Sequence, residues 1–227
     1  MKKILTISLF SLLLVVLCYY SFKEGKPKED NKITTTEEEK DTLIISTTLD
    51  RAVDYSNNEV LKDSSKYIAL VKINKILGTD NYGTIYKRYV FPYTYGTMTI
   101  LNVYKGSLEI NKEVKFYKLG GTLPIEKYYE GLNKTQKEKF DVANQKNQTI
   151  DKSALKNVKV IVGKDCDIKE NETYLVYLND ETTYHGEEDS YAIVGLEYGI
   201  RKVKNVKDNV LTVKNNETGK YETMKIN

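Results

Sequence analysis

Tryptophan is absent from this chain of 227 residues, histidine occurs once, cysteine twice and proline three times. Each scarcity removes a class of explanation. Cys18, inside an apolar N-terminal run, and Cys166, far downstream, cannot form a disulfide framework, so the fold must rest on a hydrophobic core. A chain of this length buries about 70% of the surface that its unfolded form exposes, which suffices. With His185 as the lone histidine, a zinc site would need carboxylates or Cys166 to complete it, an uncommon set. There is no G-x-S-x-G elbow, and "VGKD" at 162–165 lacks the glycine spacing and the Lys-Ser/Thr end of a phosphate loop. Excess charge is missing too. The formal charge of +3 owes two units to Lys2 and Lys3, and the nearly neutral remainder has no electrostatic footprint for nucleic acid. No cofactor is implied.

One long hydrophobic run is present. In "MKKILTISLFSLLLVVLCYYSFK" residues 4–22 carry no charge, and a helix rising about 1.5 Å per residue over that length just spans a bilayer core of about 30 Å. Tyr19, Tyr20 and Phe22 fall where aromatic rings favour the membrane interface. Residues 1–22 read as an uncleaved signal anchor or transmembrane helix. The alternatives are a cleaved signal peptide and a lipoprotein modified at Cys18, although Leu17 stands where a lipobox has a small residue. Residues 23–42, rich in charge and threonine with Ile33 as the single aliphatic side chain, read as a flexible stalk. Residues 43–227 are then a β-rich domain outside the cytoplasm, at the cell membrane.

That domain opens with "STTLDRAVDYS" (46–56), where Leu49, Ala52 and Val53 share one helical face, which predicts a short amphipathic helix. Period two follows. "KYIALVKINKIL" sets Tyr67, Ala69, Val71 and Ile73 against Ile68 and Leu70, as in a strand covered on both faces. "TMTILNVYKG" and "KEVKFYKLGG" predict a hairpin pair. Residues 122–148 predict a helical insertion of two short helices, the first opened by Pro124 and the second capped by Thr135. "NVKVIV", "ETYLVYL", "YAIVG", "GIRKVKNV", "NVLTVK" and "YETMKI" predict further strands.

This order of elements resembles an OB-like barrel, a five-stranded Greek key whose third and fourth strands are joined through a helix, here residues 122–148. More narrowly, "TILNVYKGSLEINKEVKFYKLGG" followed by "IKENETYLVYL" resembles exported, membrane-associated bacterial proteins, often lipoproteins, over residues 60–205. The resemblance implies a mainly β OB-like barrel with a helical insertion, preceded by an N-terminal transmembrane helix and stalk. Netrin-like metalloproteinase inhibitors share the barrel, but they act through an N-terminal cysteine and a disulfide-tied edge that this sequence lacks, so inhibition does not transfer.

Two segments could carry function. "NDETTYHGEEDSY" (179–191) surrounds His185 with Asp180, Glu181, Glu187, Glu188 and Asp189. These acids are candidate oxygen ligands for calcium, though their spacing is not that of an EF-hand, and a metal-dependent hydrolase around His185 is the alternative function. The plainer expectation is a solvated hairpin tip whose crowded carboxylates raise one another's proton affinity, and in which replacing His185 changes neither binding nor stability. "NYGTIYKRYVFPYTYG" (81–96) brings Tyr82, Tyr86, Tyr89, Tyr93 and Tyr95 to the loop between the first two barrel strands, where OB-like barrels often grip ligands. The expectation is a non-enzymatic, membrane-tethered binding or interaction domain. Those five tyrosines would contact an extracellular protein, peptide or glycan.

Overall fold

The structure, a computed structural model, describes residues 33–34, 41–48, 53–146, 155–164 and 166–226. The expected anchor over 1–22, with Cys18, lies outside them, as do residues 23–32 and 35–40 of the expected stalk. Among the described residues no helix is long and apolar enough to cross a membrane.

The described chain is mainly β, with a few short helices. β3 (Tyr67–Gly83) and β4 (Arg88–Lys105) form a long hairpin, and β4 continues antiparallel into β5 (Glu113–Leu119). β8 (Thr173–Asp180) lies antiparallel to β3, and β9 (Ser190–Ile193) pairs with both β5 and β8. Those five strands therefore close on themselves in the order β8-β3-β4-β5-β9. Only the β5–β9 pairing in that ring is parallel. β10 (Ile200–Lys207) continues from the first half of β8 and carries β11 (Val210–Lys214) and β12 (Tyr221–Lys225) outward as an antiparallel extension.

The two-faced alternation of β3 explains both main cores. Tyr67, Ala69, Val71 and Ile73 point into the ring with Met98, Ile100, Phe116, Val176 and Leu178. Ile68 and Leu70 point outward, against Leu175, Tyr177, Leu211 and Val213. A helix at 58–64, α1 (Asn58–Ser64), closes this outer face with Leu61, and Asn57 caps it by accepting from the N–H groups of Glu59 and Val60. Tight curvature requires glycine at position 96. A Cβ there would stand 2.1 Å from the carbonyl oxygen of Lys75 and 2.8 Å from the Phe116 ring.

A second, four-stranded sheet has the order β1-β2-β7-β6. β1 (Ile33–Thr34) is antiparallel to β2 (Thr42–Thr47), which runs parallel to β7 (Asn157–Val162). β6 (Gly121–Pro124) follows β5 after Gly120, so the paired glycines mark where the chain leaves the ring. Gly121 has φ +135°, and a Cβ on it would meet Thr94 Oγ1 at 2.2 Å. The next segment forms α2 (Ile125–Glu130) and α3 (Lys134–Lys146), which lie against Leu43, Leu123, Leu155, Val158 and Val160 through Ile125, Tyr128 and Phe140.

Several expectations need correction. Ile33 and Thr34 pair with Ile45 and Ile44, and Thr42 is buried in β2, so the stalk boundary at 42 is wrong and structure begins inside it. Ser46 and Thr47 belong to a strand, because the β-branched run "TLIIST" finds β7 as a parallel partner. The helix predicted over 46–56 is not formed by its described residues. Residues 122–124 are strand rather than helix, and the second helix is capped by Asn133, not Thr135. Asn133 Oδ1 accepts from the N–H of Gln136, whose Oε1 accepts in return from the N–H of Asn133, a reciprocal capping box.

Candidate functional site

The loop between β8 and β9 is organised around an inward carboxylate. Glu181 is 4% exposed, and its two oxygens accept the N–H groups of Thr183 and Tyr184 (both 2.5 Å), Gly186 (2.7 Å) and His185 (3.0 Å). Burial pushes its carboxyl up, but the four donors outweigh that and hold it below the usual glutamate range. Three of the other four acids meet lysines. Asp180 pairs with Lys66 at 2.5 Å and accepts from the Tyr67 hydroxyl, Asp189 pairs with Lys112 at 2.7 Å, and Glu187 pairs with Lys115. Glu188 is exposed. The hydrogen bond from Lys66 is the main reason that Asp180 titrates below its ordinary range. For Asp180 and Glu181 the expectation of raised proton affinity is thus corrected, because Lys66 and the amides of the loop hold both carboxyls low, and Glu187 and Asp189 also have lysine partners. Among the described residues no three His, Cys, Asp or Glu side chains gather as a metal site requires.

His185 turns toward tyrosines. Its Nε2 lies 3.0 Å from the Tyr93 hydroxyl and its Nδ1 lies 3.1 Å from Thr84 Oγ1. The Tyr93 hydroxyl also lies 2.9 Å from the carbonyl of Tyr82; when its single proton goes to that carbonyl, Nε2 is the protonated nitrogen and donates to the phenol. Thr84 either donates to Nδ1 or turns to the carbonyl of Tyr184, 3.1 Å away. Both ring nitrogens are engaged in fastening the β8–β9 loop to the β3–β4 hairpin. Around them Tyr93 stacks on Tyr184 with ring centroids 4.0 Å apart, and Tyr117 lies stacked 5.5 Å from Tyr184. Burial pushes the Tyr184 phenol up to about 12 and raises those of Tyr93 and Tyr117 as well.

The tyrosine-rich segment is therefore two things. It is no loop, since β3 and β4 run through it and only residues 84–87 turn. Tyr93 is fully buried and Tyr95 half-buried, both within the aromatic cluster at His185. An exposed contact role for Tyr93 is corrected on that ground. Tyr82, Tyr86 and Tyr89 are exposed. The Tyr86 ring carries the Arg88 guanidinium at 5.2 Å, and Tyr82 meets Tyr89 edge-on at 5.5 Å.

Tyr89 borders a cavity of about 240 Å³ where α2 and α3 meet the hairpin. The ladder between β3 and β4 breaks between the pairs Asp80–Tyr93 and Tyr82–Tyr89, at the position of Pro92, which has no N–H to offer. In that break Asp80 pairs with Lys127 at 3.0 Å, and Asn81 Nδ2 donates to the carbonyl of Lys127 at 2.8 Å. The remaining amide atom, Asn81 Oδ1, is buried and has no hydrogen-bond donor among the described residues. Phe91, Tyr128, Leu132 and Gln136 complete most of the wall, and none of the lining side chains is charged. Desolvation raises the phenols of both Tyr89 and Tyr128, so they stay neutral at physiological pH. The lining brings aromatic side chains together with the exposed amide of Gln136.

A larger groove of about 400 Å³ runs between the ring and β7, past Thr79, Thr94, Lys118, Lys159 and Cys166. Its lysines are held within the protein, Lys118 by the carbonyl of Leu119 at 3.2 Å and Lys159 by Asp167 at 3.1 Å.

Asn81, Tyr128 and Gln136 escaped sequence reading. Pro92, interrupting the run of alternating tyrosines, was the available signal. Comparison with models of protein families, with curated proteins and with solved structures finds no match to this chain.

Proposed function

We propose that the chain is a membrane-tethered binding domain that works outside the cytoplasm without catalysing a reaction, and that its ligand enters the cavity between the β3–β4 hairpin and α2–α3. The observation that carries this reading is the uncharged lining of that cavity, in which the exposed Tyr89 of the hairpin meets Tyr128, Leu132 and Gln136 of the helical segment. The ring order, its single parallel pairing and the helices lying between β5 and β8 support an OB-like Greek-key barrel, in which the hairpin of the first two strands often grips ligand. The engagement of both His185 nitrogens and of Glu181 supports a structural rather than a chemical role for the acidic loop.

Capture from cell envelopes tests the site. Tyr89→Ala removes an exposed aromatic wall and should reduce capture about tenfold or more, with a melting temperature close to that of the parent chain. Unchanged capture would contradict the assignment. The tether rests on uncharged residues 4–22. The protein should stay with membranes after carbonate washing, and mass spectrometry should find the N-terminus uncleaved. A diacylglyceryl group on Cys18 would replace the anchor with a lipid.

A further inference from the structure

We propose that the open face of the β10–β12 extension docks on the anionic headgroups of a lipid bilayer, a contact separate from the cavity. Alternation along the three strands sorts their side chains onto two sides. Val203, Leu211, Val213 and Met224 pack with Leu175 and Tyr177 on one of them. The cross-strand rows Asn205–Thr212–Thr223, Lys207–Val210–Lys225 and Lys214–Tyr221 fall on the other. There Lys207, Val210, Tyr221, Thr223 and Lys225 are exposed. Lys204, at the bulge between Val203 and Asn205, joins this side, its ammonium 5.6 Å from the centre of the Tyr221 ring.

The charge of this segment is one-sided. From Arg201 to Lys225 the chain holds seven basic and three acidic side chains, and none of the three acids offsets the open face. Glu222 points to the opposite side, where it bonds Arg201 at 3.0 Å, Glu217 accepts from the Tyr198 hydroxyl, and Asp208 stands in the turn between β10 and β11. Among the described residues Lys204, Lys207, Lys214 and Lys225 have no carboxylate partner. Their mutual repulsion is relieved by an anionic partner. Lys207 and Lys225 flank Val210 from the two outer strands, two strand spacings or roughly 10 Å apart. Charges spread in this way suit an array of phosphates better than one compact anion, and Tyr221 beside Val210 is the kind of side chain that settles at a bilayer interface.

The choice of a bilayer as the source of those phosphates rests on the tether reading. β1 runs antiparallel to β2, so the chain enters the small sheet from its Thr47 end. That end meets the root of the extension. A Cβ at Gly163, the residue after β7, would stand 2.7 Å from Glu197, and Asn216 Nδ2 donates to the carbonyls of Glu197 and Ile200. Residues 23–32, between the uncharged run and β1, reach at most about 35 Å when fully extended.

The experiment is acetylation footprinting of lysines, read by mass spectrometry, on the full chain in lipid nanodiscs of phosphatidylcholine alone or with about one part in three of phosphatidylglycerol. The anionic discs should slow modification of Lys204, Lys207, Lys214 and Lys225 about fivefold or more and leave Lys66 and Lys87 unchanged, and about 0.5 M salt should remove the difference. Replacing Lys207→Glu together with Lys225→Glu, both at exposed positions, should abolish the protection of Lys204 and Lys214 with a melting temperature close to that of the parent chain. Equal rates in two kinds of disc that both hold the chain overturn the proposal and leave the anchor standing. Soluble polyphosphate that protects the same lysines as well as the anionic discs do, at equal phosphate concentration, overturns the bilayer as the source. Elution of the chain with the anionic discs alone supports the face and removes the anchor, and elution apart from both discs overturns the two together.

Discussion

Glu181→Ala should lower the stability of the domain by about 3 kcal/mol or more, the largest loss expected from any acidic side chain among the described residues. Four backbone N–H groups would lose the buried carboxylate that gathers them, and hydrogen bonds to a charged group contribute about 1.5–3 kcal/mol each before non-additivity. For a domain of this size each kcal/mol shifts the melting temperature by roughly 2–4 °C. Glu181→Gln should rescue little, because its NH₂ group would confront two of the N–H donors. The sign of the pH effect follows from the lowered carboxyl. A depressed folded value means that the contribution is present above the ordinary glutamate pKa and is lost as pH falls through the folded one. Thermal unfolding from pH 7 down to pH 3 should show the parent chain losing stability below the usual carboxylate range, with Glu181→Gln losing correspondingly less.

Tyr93→Ala should cost about 3–5 kcal/mol, because a fully buried aromatic ring would be replaced by a void inside the cluster of Tyr95, Tyr117 and Tyr184. Tyr93→Phe isolates the polar part. It keeps the ring and removes the partner of His185 Nε2 and of the Tyr82 carbonyl, for an expected loss of about 1–3 kcal/mol. His185→Ala should fall in the same range, contrary to the sequence-based expectation that this side chain is dispensable. Denaturant unfolding measures all three. Equal stability of the parent and the Tyr93→Phe chain would show that the hydrogen bonds seen at this ring contribute nothing.

The sequence exposed the ring better than the site. β3, β5, β7 and β8 announce themselves because apolar side chains alternate along them, and the Gly-Gly pair at 120–121 marks the chain's exit from the ring. β2 was illegible for a physical reason. Its six residues are stabilised by β7, a parallel partner distant in sequence, and nothing local distinguishes "TLIIST" from a short apolar patch at the end of a polar stretch. Glu181 looks like its four acidic neighbours in composition, and only the turn of the backbone makes it the one that points inward. Asn81 is likewise an ordinary strand asparagine until α2 docks against it. The tyrosines were visible as a group, but the division between Tyr93 and Tyr95 inside and Tyr82, Tyr86 and Tyr89 outside depends on how the hairpin twists past the His185 loop.

The most direct test of the cavity is hydrogen exchange of the full chain with and without the material that it captures from cell envelopes. Protection confined to residues 81–92 of the hairpin and 125–136 of the helical segment, with 181–189 unchanged, is the predicted result. Protection concentrated on 181–189, or on the groove lined by 76, 78–79, 159–161 and 166–168, would contradict it.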